Sequence, residues 1–286
     1  MGTIDSVFAE FAPAKINLTL HVTGQREDGY HLLDSLVAFV DVGDRVTVRP
    51  ASTSRLTVDG PMAQDVPTDS RNLVLRAAAL TGVNADIHLH KCLPAAAGIG
   101  GGSSDAAATL RAIARMADRP LPSIDALTTL GADVPVCMRP GLTRMQGIGE
   151  KLGHIEDLPR QPVLLVNPGV SVPTPTVFKA LGRKNNPPMN WPAPDTGDKV
   201  AWLAWLATQR NDLQAPAIQA EPVIGTVLDH LAEQPGCLLA RMSGSGATCF
   251  AIFEDDEALE TARARLKAEQ PNWWIAATRF LARPSP

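Results

Sequence analysis

No two cysteines in this 286-residue chain stand in Cys-x-x-Cys spacing. Cys92, Cys137, Cys237 and Cys249 lie in apolar surroundings and are expected to be buried free thiols of a cytoplasmic protein, not a disulfide framework or a metal knuckle. Basic charge is also scarce. A formal net charge of -4 lacks the excess that a nucleic-acid or membrane-surface binder needs. No apolar run reaches the length of a membrane span, and no signal-peptide pattern opens the chain. The opening Met1-Gly2-Thr3-Ile4-Asp5-Ser6 does match a myristoylation string, but that string is short and permissive. Repeats and low-complexity tracts are absent. So are a Gly-Lys pair, which excludes a Walker A loop, and the His-Arg-Asp and Asp-Phe-Gly signatures of protein kinases. What is present is apolar bulk. At 45% hydrophobic residues the chain can form one large or two medium domains.

One stretch stands out. Leu93-Pro94-Ala95-Ala96-Ala97-Gly98-Ile99-Gly100-Gly101-Gly102-Ser103-Ser104-Asp105 carries four glycines within five residues, then a serine pair. Upstream, Ala85 to Leu93 alternates like a strand. Downstream, Ala106, Ala107, Leu110, Ile113, Ala114 and Ala117 recur on one helix face. Strand, glycine loop and helix N-terminus together suit a polyphosphate. Glycine lets backbone N–H groups approach a ligand, and a helix start adds unpaired donors and partial positive charge. The plainer alternative is a flexible strand-to-helix connector. A dinucleotide fingerprint fits poorly, because Ser103 stands where a third glycine or alanine belongs.

Along the chain, Phe8 to Val22 reads as a strand. Ile16, Leu18, Leu20 and Val22 face one side; Lys15, Asn17, Thr19 and His21 face the other. That polar face either meets water or lines a pocket. Thr23 to Gly29 is turn-rich. Tyr30 and His31 follow it, either as a strand-edge pair or as groups able to hold a planar ligand. Strands are expected at Leu32–Val40, Arg45–Arg49 and Arg55–Val58, and helices at Asn72–Leu80 and Ser123–Leu130. In Gly131-Ala132-Asp133-Val134-Pro135 the carboxylate leads into apolar residues, although Asp in a turn is commonly structural. A change of domain is expected near Pro159 to Pro162. Beyond it come a strand at Val163–Val166, a helix holding Phe178, and a proline-rich exposed insertion over Gly182–Lys199. A helix packed through Trp202 and Trp205 and another at Pro222–Glu233 follow. Strands at Cys237–Met242 and Ala247–Phe253 flank Ser243-Gly244-Ser245-Gly246, then a helix at Glu257–Gln270 and a strand at Trp274–Phe280 end the chain. From residue 163 this is the ferredoxin-like α+β order.

The loop resembles the second motif of the GHMP small-molecule kinases. Other segments resemble the family in the same order: Pro13-Ala14-Lys15-Ile16-Asn17-Leu18, Gly24 to His31, Gly131 to Pro135, Pro168-Gly169-Val170-Ser171-Val172-Pro173-Thr174-Pro175, Asn211-Asp212-Leu213 and Ser243 to Ala247. The Gly29-Tyr30-His31 element resembles the branch that phosphorylates a cytidine-diphosphate-linked methylerythritol in the non-mevalonate isoprenoid pathway. The resemblance implies a two-domain α+β fold. Residues 1–160 would form a mixed α/β nucleotide-binding domain and residues 161–286 a ferredoxin-like domain that completes the substrate site. It implies Lys15 and Asp133 as the catalytic pair, meeting at the acceptor hydroxyl. Pro94, Ala95, Ala96, Ala97, Gly98, Ile99, Gly100, Gly101, Gly102, Ser103 and Ser104 would cradle ATP, with Mg²⁺ bridging its oxygens and no protein ligand to the metal singled out. Asn17, Tyr30, His31, Thr174 and Phe178 would hold the acceptor, and Asn72 is a candidate adenine contact. A monomer or weak homodimer is implied. Homoserine kinase and a catalytically silent ligand sensor share the fold and remain as alternatives. Two departures stand out. Ala95 to Ala97 replace glycines common in relatives. Asp105 replaces an Asn, and puts negative charge near the phosphates unless a cation shields it.

Overall fold

The computed structural model describes residues 6–155 and 160–281. The myristoylation string, apart from Ser6, and Pro159 of the expected domain change lie outside the described residues. The chain divides into two compact units that interleave in sequence. The first takes residues 1–14, 42–95 and 100–139; the second takes 15–41, 96–99 and 140–286.

The first unit contains the start of β1 (Phe8–Gln25), the end of β2 (His31–Pro50), β3 (Arg55–Asp59) and β4 (Ala85–His90), with helices α1 (Leu73–Thr81), α2 (Gly101–Ala117), α3 (Ile124–Leu130) and α4 (Val134–Cys137). Strand β4 runs antiparallel to β2, with Val46 opposite Leu89 and Val48 opposite Ile87, and parallel to β3. Val46, Val48, Ile87 and Leu89 meet Val74 and Ala78 of α1 and Ala108, Ala112 and Ile113 of α2 in one core. Small residues on both helices let them lie close to the sheet. Asn72 caps α1 through its side chain, and Gly82 ends it in the left-handed region. Ser123 caps α3.

Two strands were expected over residues 32–49; one continuous β2 is found. Asp41-Val42-Gly43-Asp44 has the composition of a turn, but a Cβ on Gly43 would lie 2.3 Å from the Ala12 carbonyl oxygen and 2.7 Å from Pro13 Cα. The glycine is there for close backbone approach within a strand pair, not to reverse the chain.

The second unit contains the remainder of β1 and β2, and β5 (Thr143–Gly147), which pairs antiparallel with Leu33–Val37 of β2 and with β6 (Lys151–His154). Its other strands are β7 (Pro162–Asn167), β8 (Cys237–Met242), β9 (Cys249–Phe253) and β10 (Trp274–Arg279); its helices are α5 (Thr174–Lys179), α6 (Lys199–Thr208), α7 (Gln214–Ala220), α8 (Val223–Ala232) and α9 (Asp256–Glu269). The sheet order β10-β7-β9-β8 is antiparallel throughout, the ferredoxin-like arrangement expected from the element order. Leu164 and Val166 of β7 and Ala251 and Phe253 of β9 pack with Ile224, Val227 and Leu231 of α8 and Leu259, Ala262 and Leu266 of α9.

The 182–199 segment is exposed at most of its positions, as expected, but it is anchored, whereas the expectation for the cysteines needs correction. Met189 is buried, its N–H donates to Asp34 Oδ2 at 3.1 Å, and the Trp191 ring lies 4.9 Å from the Arg144 guanidinium. Its prolines and asparagines allow an extended path that is then fixed by side-chain partners. All four cysteines are free, but only Cys137 and Cys249 are buried; Cys92 and Cys237 are half-buried. Among the described residues no helix is long and apolar enough to cross a membrane.

Candidate active site

The glycine loop divides between the units. Pro94, Ala95 and everything from Gly100 onward belong to the first; Ala96 to Ile99 belong to the second. In the first unit α2 begins at Gly101, earlier than the apolar pattern alone suggests, so Gly101, Gly102, Ser103 and Ser104 form its opening turn. Gly100 precedes it at φ 63° with no side-chain cap, and the Ser104 N–H is the one that reaches back to the Gly100 carbonyl, at 2.8 Å. The N–H groups of residues 101 to 103 therefore have no intrahelical acceptor. The buried Ser104 hydroxyl has no hydrogen-bond partner either. This end of α2 can receive an anion.

Asp133 stands at the N-terminus of α4 without capping it through its side chain. Arg111 of α2 fixes the other end of this short helix, donating to the Cys137 carbonyl at 2.9 Å while paired with Glu10. Ser103 Oγ lies 3.9 Å from where a Cβ on Gly131 would be, so the serine pair and the Gly131–Asp133 segment are neighbours. Asn72, the candidate adenine contact, has both ends of its amide engaged. Its Oδ1 accepts from the Val74 N–H and its Nδ2 donates to the Pro67 carbonyl.

In the second unit Lys15, Asn17, Thr19 and His21 of β1 are all buried, so their face does not meet water. The Lys15 N–H donates to the Ile99 carbonyl at 2.9 Å, which ties this strand to the glycine loop. The Asn17 N–H donates to Ser243 Oγ at 3.0 Å, and that hydroxyl donates to the Gly98 carbonyl at 2.9 Å. Asn17 Nδ2 donates to Ser35 Oγ at 2.8 Å, leaving the buried Oδ1 without a partner. His21 Nδ1 lies 3.4 Å from the Pro187 carbonyl, so Nδ1 carries the proton and the buried, unpartnered Nε2 is a bare acceptor. Burial, then the charge of Arg210, lowers the His21 pKa against the opposing pull of Pro187, Asp212 and Asp34.

His31 stacks on Phe178, with centroids 4.6 Å apart and planes at 24°. Burial and then Lys184 lower its pKa, so the ring is neutral near pH 7 and its buried Nε2 has no partner. Tyr30 is 60% exposed. Thr174 Oγ1 and Ser245 Oγ lie 2.7 Å apart. Of the expected acceptor-binding residues, His31 and Phe178 are thus in direct ring contact, Asn17 is bonded to the Ser243 turn, and Thr174 meets Ser245 of the same turn. Lys15 and Asp133 belong to different compact units.

Three residues around the loop went unread as a group. Asp44, Lys91 and Asp105 form a buried ion triad in the first unit. Lys91 Nζ donates to Asp44 and, at 2.9 Å, to Asp105 Oδ2. Asp44 Oδ1 also accepts the N–H groups of Cys92 and Leu93, at 2.6 and 2.9 Å. Lys91 is the cation that the Asp105 departure calls for. Burial would push its ammonium down; Asp105 and Asp44 more than offset that, and its pKa is raised.

This fold and loop define a small-molecule kinase of the GHMP superfamily. The superfamily's N-terminal domain profile matches residues 72–141 and its C-terminal profile matches residues 197–272. A homoserine kinase from Cytophaga hutchinsonii shares the fold at a TM-score of 0.69 and 16% identity, with 99% of this chain and 97% of that one covered. The particular family follows from closer relatives. The 4-diphosphocytidyl-2-C-methyl-D-erythritol kinase of Dinoroseobacter shibae is 58% identical over 271 residues, 94% of each chain. The crystal structure of a 4-(cytidine 5'-diphospho)-2C-methyl-D-erythritol kinase superposes at a TM-score of 0.75 with 32% identity, covering 95% of this chain and 99% of that one. The chain belongs to the 4-diphosphocytidyl-2-C-methyl-D-erythritol kinases.

Proposed function

We infer that this protein transfers the γ-phosphoryl group of ATP to the 2-hydroxyl of 4-diphosphocytidyl-2-C-methyl-D-erythritol, a step of the non-mevalonate isoprenoid pathway. Family membership supports the reaction. The observation that best supports the acceptor site is the buried polar face of β1 and the start of β2. There Asn17 Oδ1, His21 Nε2 and His31 Nε2 lack protein partners. Each such group costs about 1–3 kcal/mol when left unpaired, and a hydroxyl-rich, base-bearing substrate would satisfy them. The base would stack on a ring face of His31 or Phe178 that their mutual contact leaves open, near Tyr30, and Thr174 would contribute its hydroxyl.

In this reading ATP lies along residues 94 to 104 with its phosphates at the start of α2. Among the described residues no group of three or more His, Cys, Asp or Glu could hold a metal. Mg²⁺ would arrive with ATP and would supply charge neutralisation at its phosphates. The Lys15 ammonium stabilises charge on the transferring group. Asp133 orients the acceptor hydroxyl and takes its proton as the acceptor O–P bond forms, while the bond from the γ-phosphorus to the bridging oxygen breaks and ADP leaves. A loose transition state asks mainly for position and charge, so no covalent enzyme intermediate is needed. Residues 1–160 would carry the ATP loop and the catalytic pair, and residues 161–286 would complete the acceptor site. The enzyme would act in the cytoplasm as a monomer or weak homodimer.

The test is a panel of acceptors with labelled ATP and Mg²⁺. Label should pass to the cytidine-linked methylerythritol, and free CMP should compete. Transfer to homoserine, mevalonate or galactose, with none to the cytidine-linked polyol, would overturn the assignment.

A further inference from the structure

We propose that Lys91 sets the charge beneath the nucleotide phosphates: held between Asp44 and Asp105, its ammonium cancels the Asp105 charge at the start of α2. The proposal rests on the reading of residues 94 to 104 as the ATP site.

All three side chains are buried. Buried charges persist only when matched, and here the Lys91–Asp105 contact spans the loop. Asp44 holds the backbone of Cys92 and Leu93, where the chain leaves β4. Asp105 lies in the second turn of α2, four residues and about 6 Å of helix axis beyond Gly101. Lys91 joins the two, and its Nζ lies 3.6 Å from where a Cβ on Gly101 would stand. The ammonium therefore sits under the first helical residue, where anion binding is expected. Unopposed, Asp105 would counter the positive end of the helix. Its other oxygen, Oδ1, has no hydrogen-bond partner, and Lys91 is the cation bonded to Oδ2. Burial pushes the Asp105 carboxyl up, to about 7, with Lys91 opposing and Asp44 adding to the rise. The balance of charge in this cluster is thus close.

The experiment is a double-mutant cycle read in ATP affinity. The assay is run at about pH 9, well above the Asp105 value of about 7, so that both buried carboxylates are ionised in the parent, and Lys91→Met leaves them without their cation. An uncompensated unit charge about 10 Å from a polyphosphate at an effective dielectric of about 20 changes affinity by about tenfold or more. The KM for ATP should therefore rise on the order of tenfold, while kcat at saturation and the KM for the acceptor stay within about threefold. Adding Asp105→Asn to Lys91→Met should return the KM for ATP to within about threefold of the parent, although the lysine is still missing. A purely structural role predicts no such rescue, so a double variant no better than Lys91→Met overturns the proposal. Should Lys91→Met not fold, Asp105→Asn alone decides. It removes negative charge and should leave the KM for ATP equal or lower; a rise beyond threefold overturns the proposal. Gly100→Val separates the two readings, since a β-branched side chain at positive φ deforms the loop directly. If it raises the KM for ATP and Lys91→Met does not, the triad role fails alone. If neither variant moves it, the ATP-loop reading fails as well.

Discussion

Gly98→Ala tests whether the glycine loop is a built surface or a slack connector. Gly98 has φ +73°, and a Cβ there would stand 2.6 Å from the Ser243 carbonyl oxygen, 2.7 Å from that of Gly246 and 2.9 Å from the Gly246 nitrogen. All three are backbone atoms, so no side chain can swing away. The left-handed conformation alone costs an alanine roughly 1–2 kcal/mol. Relieving the contacts means parting the loop from the Ser243–Gly246 turn. That turn is held by the Ser243 hydroxyl on the Gly98 carbonyl at 2.9 Å and the Thr248 N–H on the Ala97 carbonyl at 3.1 Å. Two such bonds contribute about 1 kcal/mol each, so the full penalty is about 3–4 kcal/mol. Gly169→Ala is the internal control. It lies in the same unit at φ +79° with nothing within 4 Å of its added Cβ, so it should lose only the roughly 1–2 kcal/mol of backbone strain. Urea unfolding of the two variants should differ by about 2 kcal/mol, and Gly98→Ala should also raise the KM for ATP. A Gly98→Ala enzyme as stable as Gly169→Ala, with unchanged ATP affinity, would refute the close approach and the argument built on it.

Three further outcomes are expected. Asp133→Asn should lower kcat by roughly 10²–10⁴-fold, the usual scale for loss of a general base, with ATP binding little changed; a folded variant within a few-fold of the parent would remove Asp133 from the mechanism. His31→Ala should raise the KM for the cytidine-linked acceptor more than that for ATP, because the buried Nε2 and the Phe178 stack are both lost; equal losses in steady-state kinetics would place His31 away from the nucleobase. The Asp105 pKa is raised, so its carboxyl favours the fold when protonated; that contribution is full below the unfolded value of about 4 and is lost as pH rises through about 7. The stability of Asp105→Asn relative to the parent should therefore climb between those pH values in thermal melts, and a constant difference would refute the buried, raised carboxyl.

Much of the second unit was legible because its segments report their own faces. Leu164 and Val166 lie in a short apolar run, and Leu259, Ala262 and Leu266 recur at helix spacing, so strand and helix separate by period alone. The hairpin Thr143–Gly147 and Lys151–His154 carried no such signal. Its five- and four-residue strands mix Arg, Gln, Lys and His with two glycines, and β5 takes its place from pairing with β2. Helix α7 was missed because Pro216 sits in its first turn, where a proline is tolerated but reads as a breaker.

The candidate site shows the same limit more sharply. The glycine run, the polar face of β1 and the Asp105 departure could all be seen in local strings. What completes the loop could not. Asp44 lies in a string with turn composition, yet it is a buried carboxylate that gathers two N–H groups and an ammonium. Lys91 follows an alternating strand, where a lysine ordinarily faces water, yet it lies between two acids. Ser243 sits in a turn between strands, 145 residues from the Gly98 carbonyl it holds. Periodicity tells which side of an element is buried but never what lies opposite. A buried charge is the case in which the opposite side decides everything, because its cost is set by its partner. That is why Asp105 could be flagged as a departure while its remedy, 14 residues upstream at Lys91, could not.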